Sequence, residues 1–219
     1  MPVAPRVYED PDEGRDRLAE LGLLPGDLPA GLRFGYLARL SCNANDPPLS
    51  VGTMFWGRMT RGLREQLAPR GWRKTDTPLS VVRNADETLD IVVCSGTNQT
   101  GVADGHPKSR FPKGRATRAA VAANAGTEGA QPELFSDEEP ATRRPTLWML
   151  LVNVVPMDDK TLVRAELSLP YELDEEGRVS GWLERIILPP LEDTDNRRAR
   201  QGDADLGPDF DVDVQRRAG

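Results

Sequence analysis

Apolar residues recur along the chain in short blocks, and their spacing predicts the first elements of secondary structure. Between Ser50 and about Leu67 the apolar positions recur every four residues, the period of a helix with one buried face. Asp12 to Leu23 is typical of a shorter helix that ends at a Pro-Gly pair. Residues 32–41 mix aromatic and aliphatic side chains, and we interpret them as a strand or a buried connector.

β-Rich runs predict strands in the remaining blocks. Leu79 to Arg83 and Leu89 to Cys94 flank a turn-like Asn-Ala-Asp-Glu sequence, so they predict a β-hairpin. Leu147 to Val155 and the run TLVRAELSL at 161–169 flank another turn and predict a second hairpin. Trp182 to Leu188 predicts a last strand, which a pair of prolines ends.

The run at 161–169 alternates polar and apolar side chains. Leu162, Arg164, Glu166 and Ser168 share one face, and the other face is apolar. This alternation is typical of an antiparallel strand with one buried and one solvated face, so we expect Glu166 on the solvated face.

Together these elements predict an α+β fold. We expect an antiparallel sheet of about five strands, made of two hairpins and a final strand, covered by one main helix. Residues 1–29 form an acidic segment with a short helix, and residues 30–190 form a single domain. A flexible loop at 97–146 interrupts that domain, because apolar periodicity is lost there. Residues 191–219 alternate Asp and Arg and predict a disordered acidic tail.

The net charge of −7 is unevenly distributed along the chain. Residues 97–127 carry about +4 and residues 128–219 about −10, so an acidic total does not exclude nucleic acid as a partner. No apolar run approaches the roughly 20 residues that span a bilayer, and no secretory signal is visible. Cys42 and Cys94 lack CxxC spacing, so we interpret them as reduced thiols of a cytoplasmic protein.

Several short patterns approach catalytic motifs without completing them. Gly96 and Gly101 supply half of a phosphate-binding loop, but Val102 and Ala103 stand where Lys and Ser or Thr are needed. Cys94 and Ser95 lie at a strand end without the glycines of a nucleophile elbow. A single histidine also argues against a histidine-based metal site or triad. We therefore assign no catalytic residue, no metal and no cofactor.

Basic residues cluster in two places, and either cluster is able to neutralise phosphates of a nucleic acid. The first cluster belongs to the predicted helix at 50–67, and the second to the predicted loop. A solvated helix face and a charged linker are the alternative explanations. The candidate nucleic-acid-binding residues are Arg58, Arg61, Arg64, Lys108, Arg110, Lys113, Arg115 and Arg118.

Residues 131–135 read Gln-Pro-Glu-Leu-Phe. This pentapeptide resembles the short motif by which bacterial DNA polymerases and repair proteins bind the sliding clamp: a Gln, two variable residues and then Leu-Phe. It departs from the strongest versions at Pro132, where they have Leu. The resemblance implies partner binding by Gln131, Leu134 and Phe135. The alternative is that Leu134 and Phe135 pack on this chain's own sheet.

Three functions are consistent with these patterns. The first is a non-enzymatic accessory or adaptor protein of bacterial or phage DNA metabolism that binds a protein partner, such as the sliding clamp, and nucleic acid. The second is an acidic interaction or inhibitor module with no nucleic-acid role. The third is a divergent metal-dependent nuclease that uses carboxylates such as Asp90 and Glu166.

Overall fold

Eight strands form one mixed sheet in the computed structural model, which describes residues 4–127 and 144–193. The strands are β1 (Arg6–Tyr8), β2 (Arg73–Thr75), β3 (Val81–Arg83), β4 (Leu89–Ser95), β5 (Thr146–Pro156), β6 (Thr161–Leu173), β7 (Val179–Ile187) and β8 (Leu191–Asp193). Their order is β1-β7-β6-β5-β4-β3-β2, and β8 also pairs with β6. Two neighbouring pairs, β1–β7 and β4–β5, run parallel, while the other pairs are antiparallel.

The strands β7 and β8 follow the same edge of β6 one after the other. Leu188 still donates its backbone N–H to the Ala165 carbonyl, and pairing resumes at Leu191. Pro189 and Pro190 lie between these points, and proline has no N–H to contribute to a ladder. The chain therefore continues along β6 with a short interruption.

Helices cover both faces of the sheet. They are α1 (Pro11–Glu20), α2 (Asp27–Ser41), α3 (Ser50–Leu67) and α4 (Arg115–Thr127), and a short 3₁₀ helix (Ala68–Arg70) follows α3. The Asp10 side chain caps α1 by accepting hydrogen bonds from the backbone N–H groups of Asp12 and Glu13.

One face of the sheet packs against α1, α2 and α3, and we call it the helical face. It carries the larger apolar cluster, in which Leu32, Leu63 and Trp148 are fully or nearly fully buried. The opposite face packs against α4 and residues 96–114, which connect β4 to β5, and we call it the crossover face. Val121 of α4 and Met149 of β5 belong to its smaller apolar cluster. Alternation of side chains along β5 places Trp148 and Met149 on opposite faces.

Two glycines allow α2 and α3 to pack closely. A methyl group on Gly35 would come within 2.7 Å of the Met59 Cβ and 2.8 Å of the Phe55 carbonyl oxygen. A methyl group on Gly31 would lie 3.3 Å from the Leu63 Cβ. Glycine at these positions brings the backbones together and gives the helical face its dense packing.

The predicted antiparallel five-stranded sheet under one main helix is wrong. The sheet is mixed, and the two predicted hairpins are joined through the parallel pair β4–β5. A parallel connection needs a long crossover, here the segment that contains α4. Each hairpin has its own local signal, but no local signal indicates which strands become neighbours when the connection is this long.

The expectation for residues 32–41 is also wrong, because they belong to helix α2. Leu28, Leu32 and Tyr36 recur at helical spacing and are buried, but the glycines between them mask the periodicity. The predicted flexible loop is likewise wrong for residues 97–127, because they pack on the sheet and include α4. By contrast, the predicted helix at 50–67 and both hairpins are confirmed.

No helix within 4–127 or 144–193 is both long and apolar enough to cross a membrane.

Candidate functional site

Glu166 and Arg185 form a buried ion pair on the crossover face. Glu166 of β6 is 0% exposed and Arg185 of β7 is 1% exposed. The Arg185 Nε donates to Glu166 Oε1 at 3.0 Å, and Nη2 donates to Oε2 at 2.7 Å. This finding corrects the expectation that Glu166 lies on a solvated face: the segment 97–106 covers it.

The same guanidinium holds that covering segment in place. Its remaining N–H groups donate to the backbone carbonyls of Val102, Ala103 and Gly105 at 2.8–3.1 Å. Glu166 also accepts from the Ser168 hydroxyl at 2.8 Å. The pair is therefore saturated with hydrogen bonds, the condition under which two buried charges are tolerated.

The half-complete phosphate loop is occupied from within the chain. The backbone N–H of Gly101 donates to Glu166 Oε2 at 2.8 Å. Gly101 has φ of +70°, a conformation that favours glycine. In a phosphate-binding loop such an N–H donates to a phosphate oxygen, whereas here it donates to a carboxylate of the same chain.

The carboxylates proposed for a nuclease serve in separate ion pairs. Asp90 accepts two hydrogen bonds from Arg83, at 2.7 and 2.8 Å. Asp90 is paired across the sheet with Leu147, whereas Glu166 is paired with Leu151. Four residues along β5 correspond to roughly 13 Å, so the two carboxylates do not meet at one metal. No metal-binding group of three or more His, Cys, Asp or Glu side chains occurs within 4–127 and 144–193.

Cys94 and the chain's single histidine, His106, lie in different surroundings. Cys94 is buried in the apolar cluster of the crossover face. His106 is exposed in the segment between β4 and α4. The environment of Cys94 is therefore that of a packing residue.

The first basic cluster lies on α3, on the helical side of the sheet. Arg64 is engaged in contacts within the chain, because its Nη2 donates to Asp76 at 2.6 Å and to the Ser80 hydroxyl at 3.0 Å. This hydrogen bond from Arg64 lowers the pKa of Asp76 below its ordinary value. Arg61 is exposed and forms a 2.7 Å ion pair with Glu65, and Arg58 is half-buried.

The second basic cluster lies on the opposite side of the sheet, around the start of α4. Lys108 binds Asp174 at 2.9 Å, and Arg118 Nε donates to the carbonyl of Lys113, which is itself buried. Arg110 is half-buried beside Phe111, and Arg115 is exposed. The structure thus brings the eight basic candidates onto two separate surfaces, and it uses several of them in internal contacts.

Gln131, Leu134 and Phe135 lie outside the described residues, but the two anchors of their segment are well defined. Asn124 near the end of α4 is buried and bridges to the start of β5. Its Nδ2 donates to the carbonyls of Leu147 and Pro170, both at 2.9 Å, and its Oδ1 accepts from Leu147 N at 3.1 Å. The described residues on either side of 128–143 are therefore joined at one place.

A cleft of about 730 Å³ opens at this same end of the sheet, and Asn124 contributes to its lining. Trp72 and Trp148 line it together with Arg17. Arg17 is held by a two-point ion pair with Glu184, at 2.7 and 2.9 Å. The cleft thus combines aromatic walls with a paired charge.

Sequence reasoning missed Asn124 and the partnership of Glu166 with Arg185. The run 161–169 carries both Arg164 and Glu166, and β7 carries both Glu184 and Arg185, so charge alone did not single out the two residues that pair. Comparison with known proteins finds no matching family model, no similar curated protein and no similar solved structure.

Proposed function

We propose that this chain is an accessory or adaptor protein of bacterial or phage DNA metabolism that binds the sliding clamp through Gln131–Phe135. The free thiols of Cys42 and Cys94 support a cytoplasmic location. The observation that carries the proposal is that Asn124 joins the end of α4 to the start of β5, and we call this junction the stem. It anchors both ends of the segment that contains the pentapeptide.

An anchored segment suits this mode of binding for a physical reason. Tethering both ends of a short peptide reduces the conformational entropy that is lost when a partner orders it. Leu134 and Phe135 would supply apolar area to a pocket, and the Gln131 amide would supply hydrogen bonds at its edge. The stem would hold this peptide beside the folded part of the chain, which is what an adaptor requires.

The direct test is titration of purified bacterial clamp with the full chain, measured by calorimetry. Burial of a Leu or Phe side chain is worth about 1.5–3 kcal/mol, so Leu134→Ala/Phe135→Ala should weaken binding at least ~10-fold. The matched control is Leu24→Ala/Leu49→Ala, which truncates two exposed leucines elsewhere and should bind like wild type. Equal affinity of all three proteins, or no binding by wild type, would contradict the proposal.

A role in nucleic-acid binding is a second part of this proposal. Arg115 is exposed at the start of α4, and Arg110 and Lys108 precede it, so this surface is the better placed of the two clusters for phosphate contacts. Arg110→Ala/Arg115→Ala should weaken DNA binding and reduce its salt dependence. The matched control Arg15→Ala/Arg33→Ala removes two exposed cations from the helical side that belong to neither cluster. An acidic interaction module would instead leave DNA unbound by every variant.

A further inference from the structure

Helix α2 exposes two large apolar side chains although its opposite side forms part of the core. Phe34 is 39% exposed and Leu37 is 58% exposed, one helical turn apart. Phe34 also lies against α3, because a methyl group on Gly62 would come within 2.9 Å of the Phe34 Cβ. The two helices therefore share an apolar strip on the outer side of the helical layer.

Arginines surround this strip. The Arg61 guanidinium lies 6.0 Å from the centre of the Phe34 ring, and Arg33 is exposed next to Phe34 in α2. Arg58 precedes Arg61 by three residues, so it lies on the same side of α3. Arg61 pairs with Glu65, but both side chains are more than half exposed, so the pair contributes little and can be exchanged. We call Arg33, Phe34, Leu37, Arg58 and Arg61 the α2–α3 patch.

The described part of the chain ends beside helix α2. β8 contacts α2, and the Tyr36 hydroxyl donates to Asp193 Oδ2 at 2.9 Å. Tyr36 is buried on the core side of α2, within one helical turn along the axis from Phe34 and Leu37, so the chain continues beyond Asp193 from beside this helix.

Ten residues later the sequence has the complementary composition. Residues 203–214 read DADLGPDFDVDV, with five aspartates interleaved with the apolar residues Leu206, Phe210, Val212 and Val214. Ten extended residues reach roughly 33 Å. That distance exceeds the roughly 23 Å length of a 15-residue helix, so every part of α2 is within reach.

We propose that residues 203–214 bind the α2–α3 patch of their own chain, with Phe210 and neighbouring apolar residues on Phe34 and Leu37 and the aspartates against the arginines. Such a peptide is tethered at millimolar effective concentration, so weak contacts suffice for substantial occupancy. Any partner that binds the same patch would compete with this segment.

The test places a photo-crosslinker in the full chain as Phe210→p-benzoylphenylalanine and maps the products by mass spectrometry. We expect crosslinks within one chain to α2 and to residues 57–65 of α3. Adding Leu37→Asp should reduce them at least tenfold, because it removes apolar contact and adds a repelling charge. The matched control Met157→Asp changes another exposed apolar residue, 44% exposed at the turn between β5 and β6, and should leave the yield unchanged.

A charge reversal tests the electrostatic part independently. Arg58→Glu/Arg61→Glu should lower the yield, and the further changes Asp209→Lys/Asp211→Lys should restore it. Mixing isotopically light and heavy chains separates binding within a chain from binding between copies. Crosslinks mainly to other elements, crosslinks mainly between copies, or a yield unaffected by Leu37→Asp would each overturn the proposal. Equal thermal unfolding of the variants, followed by circular dichroism, shows that the changes act at the patch.

Discussion

The two faces of the sheet are covered in different ways. The helical face is buried under α1–α3 by aliphatic and aromatic side chains, and glycines bring α2 and α3 together. The crossover face carries one helix, a smaller apolar cluster and a long irregular segment held by the Glu166–Arg185 pair. Apolar burial is non-directional, whereas the buried ion pair depends on geometry. The helical face is therefore buried mainly by apolar area, whereas the cover of the crossover face also depends on one buried ion pair.

The largest effect should follow from breaking the buried pair. Arg185→Met leaves Glu166 as an uncompensated buried charge and removes the donors to three carbonyls. We expect the free energy of unfolding to fall by about 3–5 kcal/mol in urea denaturation. The control Arg61→Met affects an exposed pair and should cost under ~1 kcal/mol. A small decrease in the free energy of unfolding for Arg185→Met would contradict the role of the ion pair in the crossover face.

The double variant Glu166→Leu/Arg185→Met sharpens this result. It leaves neither charge buried, so it should be less destabilised than Arg185→Met alone. Hydrogen exchange at the Gly101 amide should nevertheless be fast in both variants, because each lacks part of the network that holds 97–106. Slow exchange at Gly101 in the double variant would show that packing alone holds the segment.

Truncation on the helical face should cost slightly less. Leu63 is completely buried, and Leu63→Ala should lower the free energy of unfolding by about 2–5 kcal/mol through lost burial and a cavity. Exchange at the Gly101 amide should remain slow relative to global unfolding, since the change lies on the other face. The control Leu37→Ala removes the same atoms from an exposed site. Faster hydrogen exchange confined to residues 97–106 in Leu63→Ala would contradict the independence of the two faces.

Removal of the Asn124 side chain should have an intermediate effect. Asn124→Ala deprives Leu147 and Pro170 of three hydrogen bonds in a buried place, which should cost about 1–3 kcal/mol by urea denaturation. The exposed Asn98→Ala serves as control and should be neutral. A neutral Asn124→Ala would mean that the stem of 128–143 does not depend on this amide.

The smallest expected effects concern pH, and the first of them lies on the helical face. Burial and the hydrogen bond to Asp193 raise the pKa of Tyr36 to about 12. Its contribution to stability is complete below the unfolded value near 10 and is lost as pH rises toward 12. Tyr36→Phe should cost about 1 kcal/mol or less and reduce this alkaline loss, as measured by urea midpoints at several pH values.

On the crossover face, Asp174 should lose its contribution to stability in acid. Burial acts to raise the pKa of Asp174, but hydrogen bonds from Lys108 and the Arg178 N–H outweigh it, so the pKa is lowered. Its contribution is present above the unfolded value of about 3.8 and is lost as pH falls through the folded value. Asp174→Asn should reduce the loss of stability below pH ~4, and an unchanged acid response would contradict this role.

The sequence predicted an element correctly where one face of that element packs on a single apolar surface. The stripe from Val51 to Leu67 predicted α3 because each of its apolar positions has the same environment. The β5–β6 hairpin was predictable because its strands are neighbours in both sequence and space. Reasoning failed at α2, where Gly31 and Gly35 look like helix breakers but are contacts with α3.

The candidate site was less predictable because its polar residues are buried only by a segment that is distant in sequence. Glu166 has the sequence position of an exposed strand residue, and only the return of 97–106 over the sheet buries it. Arg185 is its partner from another strand, a relation that no spacing along the chain encodes. The pentapeptide at Gln131–Phe135 stays a prediction, since it lies outside the described residues.

The parallel pair at the centre of the sheet also has a consequence for folding kinetics. β5, β6 and β7 are joined by short turns, whereas β4 reaches β5 only after a connection of about fifty residues. Closing a long connection has a larger entropic cost than closing a turn, and non-local pairing slows folding. We expect the β5–β6–β7 meander to form early and the seam between β4 and β5 to close last, which makes that seam the place where an incompletely folded chain exposes unpaired strand edges.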